Sequence, residues 1–107
     1  MNCINKVILV GELGKDAEIL SNNKREKLLL TLVTSHKNMN LNGESEVKQW
    51  HKVVTTINVD YAKTLKKKDR VMVEGEIVYK SFDRGNGEKQ YITEISATSI
   101  TCINKAL

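Results

Sequence analysis

Five stretches of this chain carry aliphatic and β-branched residues in alternating or continuous runs, at about 4–14, 27–36, 47–57, 70–83 and 89–103, and glycines interrupt two of them. Gly11 and Gly14 fall in the first run and Gly75 in the fourth. Glycine inside a strand pattern marks a bulge, a bend or a close approach of backbones. Long strands broken in this way allow a small sheet to coil and close on itself. Only one segment changes period. Val59, Ala62 and Leu65 fall on one helical face, with Asp60 near its start and Lys66, Lys67 and Lys68 at its end. Acid first and base last complements the helix dipole, which predicts a short helix over 59–67.

Between these runs the chain reads as turns and loops. Ser21–Arg25 is turn chemistry, Asn38–Glu46 is a polar loop centred on Gly43, and Asp83–Glu88 is a hairpin loop. With no proline, linker or repeat among its 107 residues, the chain reads as one domain spanning 1–107. Three strands, one short helix and two further strands is the order of the OB-fold. The expected architecture is all-β: a five-stranded Greek-key barrel with its helix between the third and fourth strands. A core this small makes oligomerisation a natural supplement.

Composition narrows the function classes. No apolar run approaches the ~18 residues of a membrane span, so no membrane association is expected. The first ten residues lack the apolar length and cleavage site of a signal peptide. Cys3 and Cys102 stand at opposite ends without partners at metal spacing, which argues against zinc. They read as small apolar residues of the terminal strands in a reducing compartment. No cofactor is expected. The formal net charge is +4, and lysine outnumbers arginine, which occurs only at Arg25, Arg70 and Arg84. Arginine forks favour bidentate base readout, whereas lysine acts as a point charge toward phosphates. A nucleic-acid partner would therefore be tracked along its backbone.

Asn5-Lys6-Val7-Ile8-Leu9-Val10-Gly11, followed by Leu13-Gly14 and by Asp16 and Glu18, resembles the opening of the bacterial and mitochondrial single-stranded DNA-binding protein family. Thr34-Ser35, Trp50-His51-Lys52-Val53-Val54, Val73-Glu74-Gly75-Glu76-Ile77, Gly87 and Tyr91 with Thr93-Glu94 agree in order and spacing, so the resemblance runs from Asn5 to about Ile100. It implies a homotetrameric OB-fold protein that coats single-stranded DNA without strong sequence preference during replication, repair and recombination. Bases would stack on aromatic faces while a basic groove follows the phosphates. The implied setting is the bacterial cytoplasm at the nucleoid; the alternative is the mitochondrial nucleoid after removal of a presequence.

Trp50 reads from sequence as either a core aromatic or a stacking platform. Period two places it on one strand face with Lys52 and Thr56, and His51, Val53 and Thr55 on the other. A lysine beside the tryptophan argues for a wet face, and the resemblance makes Trp50 a stacking residue. Phe82, sharing a face with Lys80, matches a second stacking aromatic; otherwise it caps the hairpin base. Lys52, Lys80, Lys67 and Lys6 are the expected phosphate contacts. Lys66–Lys68 also read simply as a solvated helix end. The resemblance puts His51 near a subunit interface, the plain alternative being a satisfied structural histidine. Tyr91 is expected to pack, and Gly11, Gly14 and Gly75 to serve sheet closure.

The chain departs from the family pattern where two stacking aromatics give way to Asn38 and Thr56. His36 is the candidate replacement for the first. It also ends on Asn104-Lys105-Ala106-Leu107, basic rather than acidic. Recruitment of partner enzymes through an acidic tail is therefore not expected. An enzyme is not expected either, since no glycine-rich phosphate loop, metal cluster or nucleophile elbow is present. The alternative function is a tail-less OB-fold adaptor of the primosome type, in which protein contacts dominate.

Overall fold

The computed structural model describes residues 2–22 and 25–103. The centre of the expected 21–25 turn, Asn23 and Lys24, lies outside the described residues, as does the basic C-terminus 104–107. The strands are β1 (Val7–Leu13), β2 (Glu18–Asn22), β3 (Arg25–Asn40), β4 (Gly43–Thr55), β5 (Arg70–Asp83) and β6 (Lys89–Cys102), with α1 (Val59–Ala62) between β4 and β5. The sheet order β1-β5-β6-β4-β3-β2 is closed by pairing of β1 with β3, at Glu12↔Val33 and Leu13↔Leu32. Five strands thus form the expected barrel. β2 is a sixth strand, unforeseen, that rides on β3 in the register Glu18↔Leu29 to Asn22↔Arg25.

Closure depends on close backbone contact. A Cβ on Gly11 would overlap the Val33 carbonyl, and one on Gly75 the Ser96 carbonyl. The β5–β6 register slips between Glu74 and Gly75, where the Thr98 hydroxyl donates to the Glu74 carbonyl at 3.2 Å. Leu13, Leu28, Leu30, Leu32, Val53, Val71, Val73 and Ile100 fill the interior, and Ala62 and Leu65 close one end.

Several boundaries differ from expectation for local reasons. β1 starts at Val7 because the Asn5 side chain substitutes for backbone pairing: its Nδ2 donates to the Ile77 carbonyl at 2.9 Å and its Oδ1 accepts from the Ile77 N–H at 3.0 Å. The expected polar loop 38–46 is instead the end of a continuous β3–β4 hairpin, paired through Asn38↔Ser45 to Asn40↔Gly43. Its turn is held by the Asn42 N–H donating to Asn40 Oδ1 at 2.9 Å, with Gly43 at φ 107°. A Lys37–Glu44 ion pair at 3.0 Å crosses the ladder.

The helix is one turn rather than 59–67. Beyond Ala62 the chain tightens, with Leu65 N–H donating to the Ala62 carbonyl at 3.2 Å. The Lys66 N–H then donates to Asp69 Oδ2 at 2.9 Å and the Lys67 N–H to Asp16 Oδ1 at 2.8 Å. Carboxylates capture the donors that would have continued the helix. Cys102 is buried, but Cys3 precedes β1 and is exposed rather than a strand residue. Tyr91 does not pack: it is 76% exposed on the β5–β6 hairpin.

Candidate nucleic-acid interface

β4 presents Trp50, Lys52 and Val54 to the barrel exterior, with Thr56 just past its end, and His51, Val53 and Thr55 toward the interior, following the period of an extended strand. Trp50 is 62% exposed although it lies in the middle of a sheet, opposite Val33. Its six-membered ring extends over Gly14, where a Cβ would fall 2.5 Å from ring carbon Cζ3. Gly14 therefore leaves room for the indole, and its N–H donates to the Thr31 carbonyl at 2.9 Å, continuing the closure of β1 on β3.

β5 contributes the facing half of the site. Val78, Lys80 and Phe82 alternate outward, with Lys80 opposite Ile92 and the half-exposed Phe82 opposite Gln90 on β6. Between β4 and β5 runs β6, which meets β4 only at Val53↔Ile95 and Val54↔Ser96, in parallel. Two shallow depressions meet here at Glu94. One is lined by Trp50, Lys52 and Thr93, the other by Lys27, Thr56, Val78, Lys80 and Ser96. The Glu94 carboxylate lies 2.6 Å from Lys80 Nζ and 4.0 Å from Lys52 Nζ, so the two lysines converge on one acid. Across three strands the order is aromatic, lysine, carboxylate, lysine, aromatic. Such a strip offers flat faces for bases and cations for a backbone, and its shallow, open form suits an extended polymer.

The remaining expected residues lie elsewhere. Lys6 stands just before β1, its Nζ 4.0 Å from the Glu74 carboxylate. Lys67 is exposed after α1 and does not line the groove. His36, opposite Val47, alternates with Thr34 and faces the side of the hairpin opposite Trp50, so the structure does not bring it to the groove. His51 is half-buried and hydrogen-bonded to Thr34 Oγ1 at 2.8 Å, and burial lowers its pKa. Lys27 and Glu94 were not anticipated as parts of the site. Glu94 left a period-two signal as an outward strand residue, but its lysine partners sit on other strands and no spacing connects them.

A closed five-stranded barrel with its helix between the third and fourth barrel strands, carrying an exposed aromatic–lysine strip, defines an OB-fold protein of the oligomer-binding class. The chain belongs to the single-strand binding protein family, whose sequence model matches residues 4–103. A single-stranded DNA-binding protein of Xylella fastidiosa (strain Temecula1) is 33% identical over 101 residues, covering 88% of this chain and 60% of that protein. The chain thus spans 60% of the length of this relative. Among solved structures, a Plasmodium falciparum SSB in complex with single-stranded DNA superposes with a TM-score of 0.86 at 24% identity, covering 97% of this chain and 98% of that one. A small single-stranded DNA-binding protein from Streptomyces coelicolor gives a TM-score of 0.70 at 16% identity, with 97% of each chain covered.

Proposed function

We propose that this chain binds single-stranded DNA without strong sequence preference and protects it during replication, repair and recombination, at the nucleoid of a bacterial cell. The observation that carries the reading is the strip Trp50–Lys52–Glu94–Lys80–Phe82 on one outward face. Stacking on a π-face accepts any base, at roughly 1–3 kcal/mol per base, and lysines hold the phosphates without reading sequence. Lys27 lines the groove beside Lys80 and adds to its positive field. No chemistry on the DNA is implied. The family and its single-stranded DNA-binding relatives support the same polymer.

The working form is a homotetramer. Among the described residues β1 pairs with β3 at Glu12 and Leu13, and over 7–10 no strand pairs with that edge, which leaves it to another chain. Its outward side chains Ile8 and Val10 are 55% and 48% exposed, opposite Glu74 and Met72 of β5. An open edge with aliphatic side chains is a surface that a second copy would cover. His51 and its Thr34 partner lie across the sheet seam beneath this edge, close to where a neighbouring subunit would dock.

Trp50 fluorescence tests the reading. Titration with oligo-dT should quench it strongly, with a stoichiometry of tens of nucleotides per assembly, and duplex DNA should not. Absence of quenching favours the adaptor reading, in which protein contacts dominate.

A further inference from the structure

Glu94 places a negative charge at the centre of a surface read as binding phosphates. Its side chain is only 8% exposed, whereas those of Lys52 and Lys80 are 41% and 37% exposed, so the acid forms the floor and the ammonium groups lie above it. Each carboxylate oxygen faces a different lysine: Oε1 faces Lys80 at 2.6 Å and Oε2 faces Lys52 at 4.0 Å. The three residues come from three strands, β4, β5 and β6, so the arrangement is not a by-product of one strand's register. An ordinary surface ion pair is exposed on both sides and orders little. Here a nearly buried acid gathers two cations from opposite walls of the groove, each adjacent by alternation to an aromatic, Trp50 beside Lys52 and Phe82 beside Lys80.

We propose that Glu94 is an internal counter-anion, a positioning residue that holds Lys52 and Lys80 across the groove in the free protein and yields them to a DNA phosphate on binding. The proposal rests on the reading of the strip as a single-strand interface. An ammonium has three donors, so a lysine held by one carboxylate keeps capacity for a phosphate oxygen on its solvent side. The trio carries a net charge of one positive unit rather than two. Binding across it releases fewer counterions than two independent lysines would, which makes attachment less sensitive to salt.

The test uses the full chain and a labelled oligo-dT, with anisotropy read over a series of salt concentrations. Glu94→Gln keeps the shape but removes the charge and exchanges one acceptor oxygen for an amide donor. It should bind several-fold tighter at low salt, with the log–log salt slope steeper by about 0.7, one added phosphate contact on a single strand. Lys80→Gln bares the carboxylate to the DNA and should weaken binding about tenfold or more. Lys80→Gln combined with Glu94→Gln restores the net charge of the trio and should return to near wild-type affinity and slope. This double variant carries the same single positive unit as the wild-type trio, so it decides the matter even where Glu94→Gln alone does not fold. Wild-type affinity and slope in Glu94→Gln, or a double variant as weak as Lys80→Gln, overturn the proposal alone. Failure of the wild type to bind oligo-dT overturns the interface reading and this proposal together.

Discussion

β5 carries two different surfaces on one outward face. Its first half places Met72 and Glu74 beside Val10 and Ile8 of β1, and its second half places Val78, Lys80 and Phe82 beside β6 and the groove. Both stretches are outside the barrel and both are partly solvated. Their chemistry differs because their neighbours differ. Beside β1 the partner side chains are aliphatic and the strand edge is open, which suits burial by a second chain. Beside β6 the partners are Glu94 and Ile92, and the lysines and aromatics suit a charged polymer with flat bases. Being outside therefore says nothing about role; what sits on the adjacent strand decides it.

Breaking the aliphatic half has the largest expected effect. Paired Ile8→Asp and Val10→Asp substitutions put two charges where the proposed interface excludes water, and assembly should be lost outright. Light scattering at micromolar concentration should show a folded chain of about the monomer mass of 12.1 kDa, still able to quench with short oligo-dT. A variant that remains tetrameric would move the interface elsewhere.

Next in size is the platform. Trp50→Ala should weaken oligo-dT binding by roughly 1–3 kcal/mol, the cost of one lost stack, and leave assembly intact. It should exceed the effect of Lys67→Ala or Lys52→Ala alone, because Trp50 and Phe82 are the aromatics of the strip. Anisotropy of a labelled oligonucleotide reads this without the tryptophan. Thr56→Phe sharpens the same point in the opposite direction. Thr56 lines the groove beside Lys27 and Lys80, so an added ring should recover up to one stack, roughly 1–3 kcal/mol, with an unchanged salt slope. No change in binding by a folded, assembled variant would show that the ring does not meet the DNA path.

The smallest effects belong to residues at the margins of both surfaces. Lys67→Gln should alter affinity a few-fold and reduce the salt slope by about 0.7 if it meets a phosphate. His51 gives a pH test. Burial lowers its folded-state pKa below the ordinary value of 6.5, so the folded protein prefers the neutral ring and the unfolded chain binds more protons in acid. Stability should fall as pH drops through about 6.5 and on toward the lower folded value, where the loss levels off. Urea midpoints at pH 7.5 and 5.5 should differ more for wild type than for His51→Gln. An equal difference removes His51 as the cause. His51→Tyr should loosen assembly on dilution more than it weakens DNA binding by the assembled form.

Much of this was legible in the residues. Alternation at Trp50, Lys52 and Thr56 against His51, Val53 and Thr55 separated the two faces of β4 correctly, because a half-buried strand must keep its apolar set on one side. Gly11 and Gly75 announced where backbones touch. The hairpin over 38–46 was illegible since both of its faces are wet, and a strand that buries neither face needs no pattern. The helix was over-read for a related reason: Leu65 does point inward at helical spacing, but the acids that divert the Lys66 and Lys67 donors lie at Asp69 and, far off in sequence, Asp16.

By itself, then, the sequence determined that this chain is a barrel of long, glycine-broken strands with one helical interruption, since period and glycine placement are local properties that each strand must satisfy alone. It also determined, through alternation, which side Trp50 and Lys52 take. Only the tertiary structure decided that Lys52 and Lys80 share one carboxylate, that Gly14 lies beneath the indole, and that His36 and Lys6 stand away from the groove. Those are relations between strands far apart in the chain, and they follow from register and closure, which no single strand specifies.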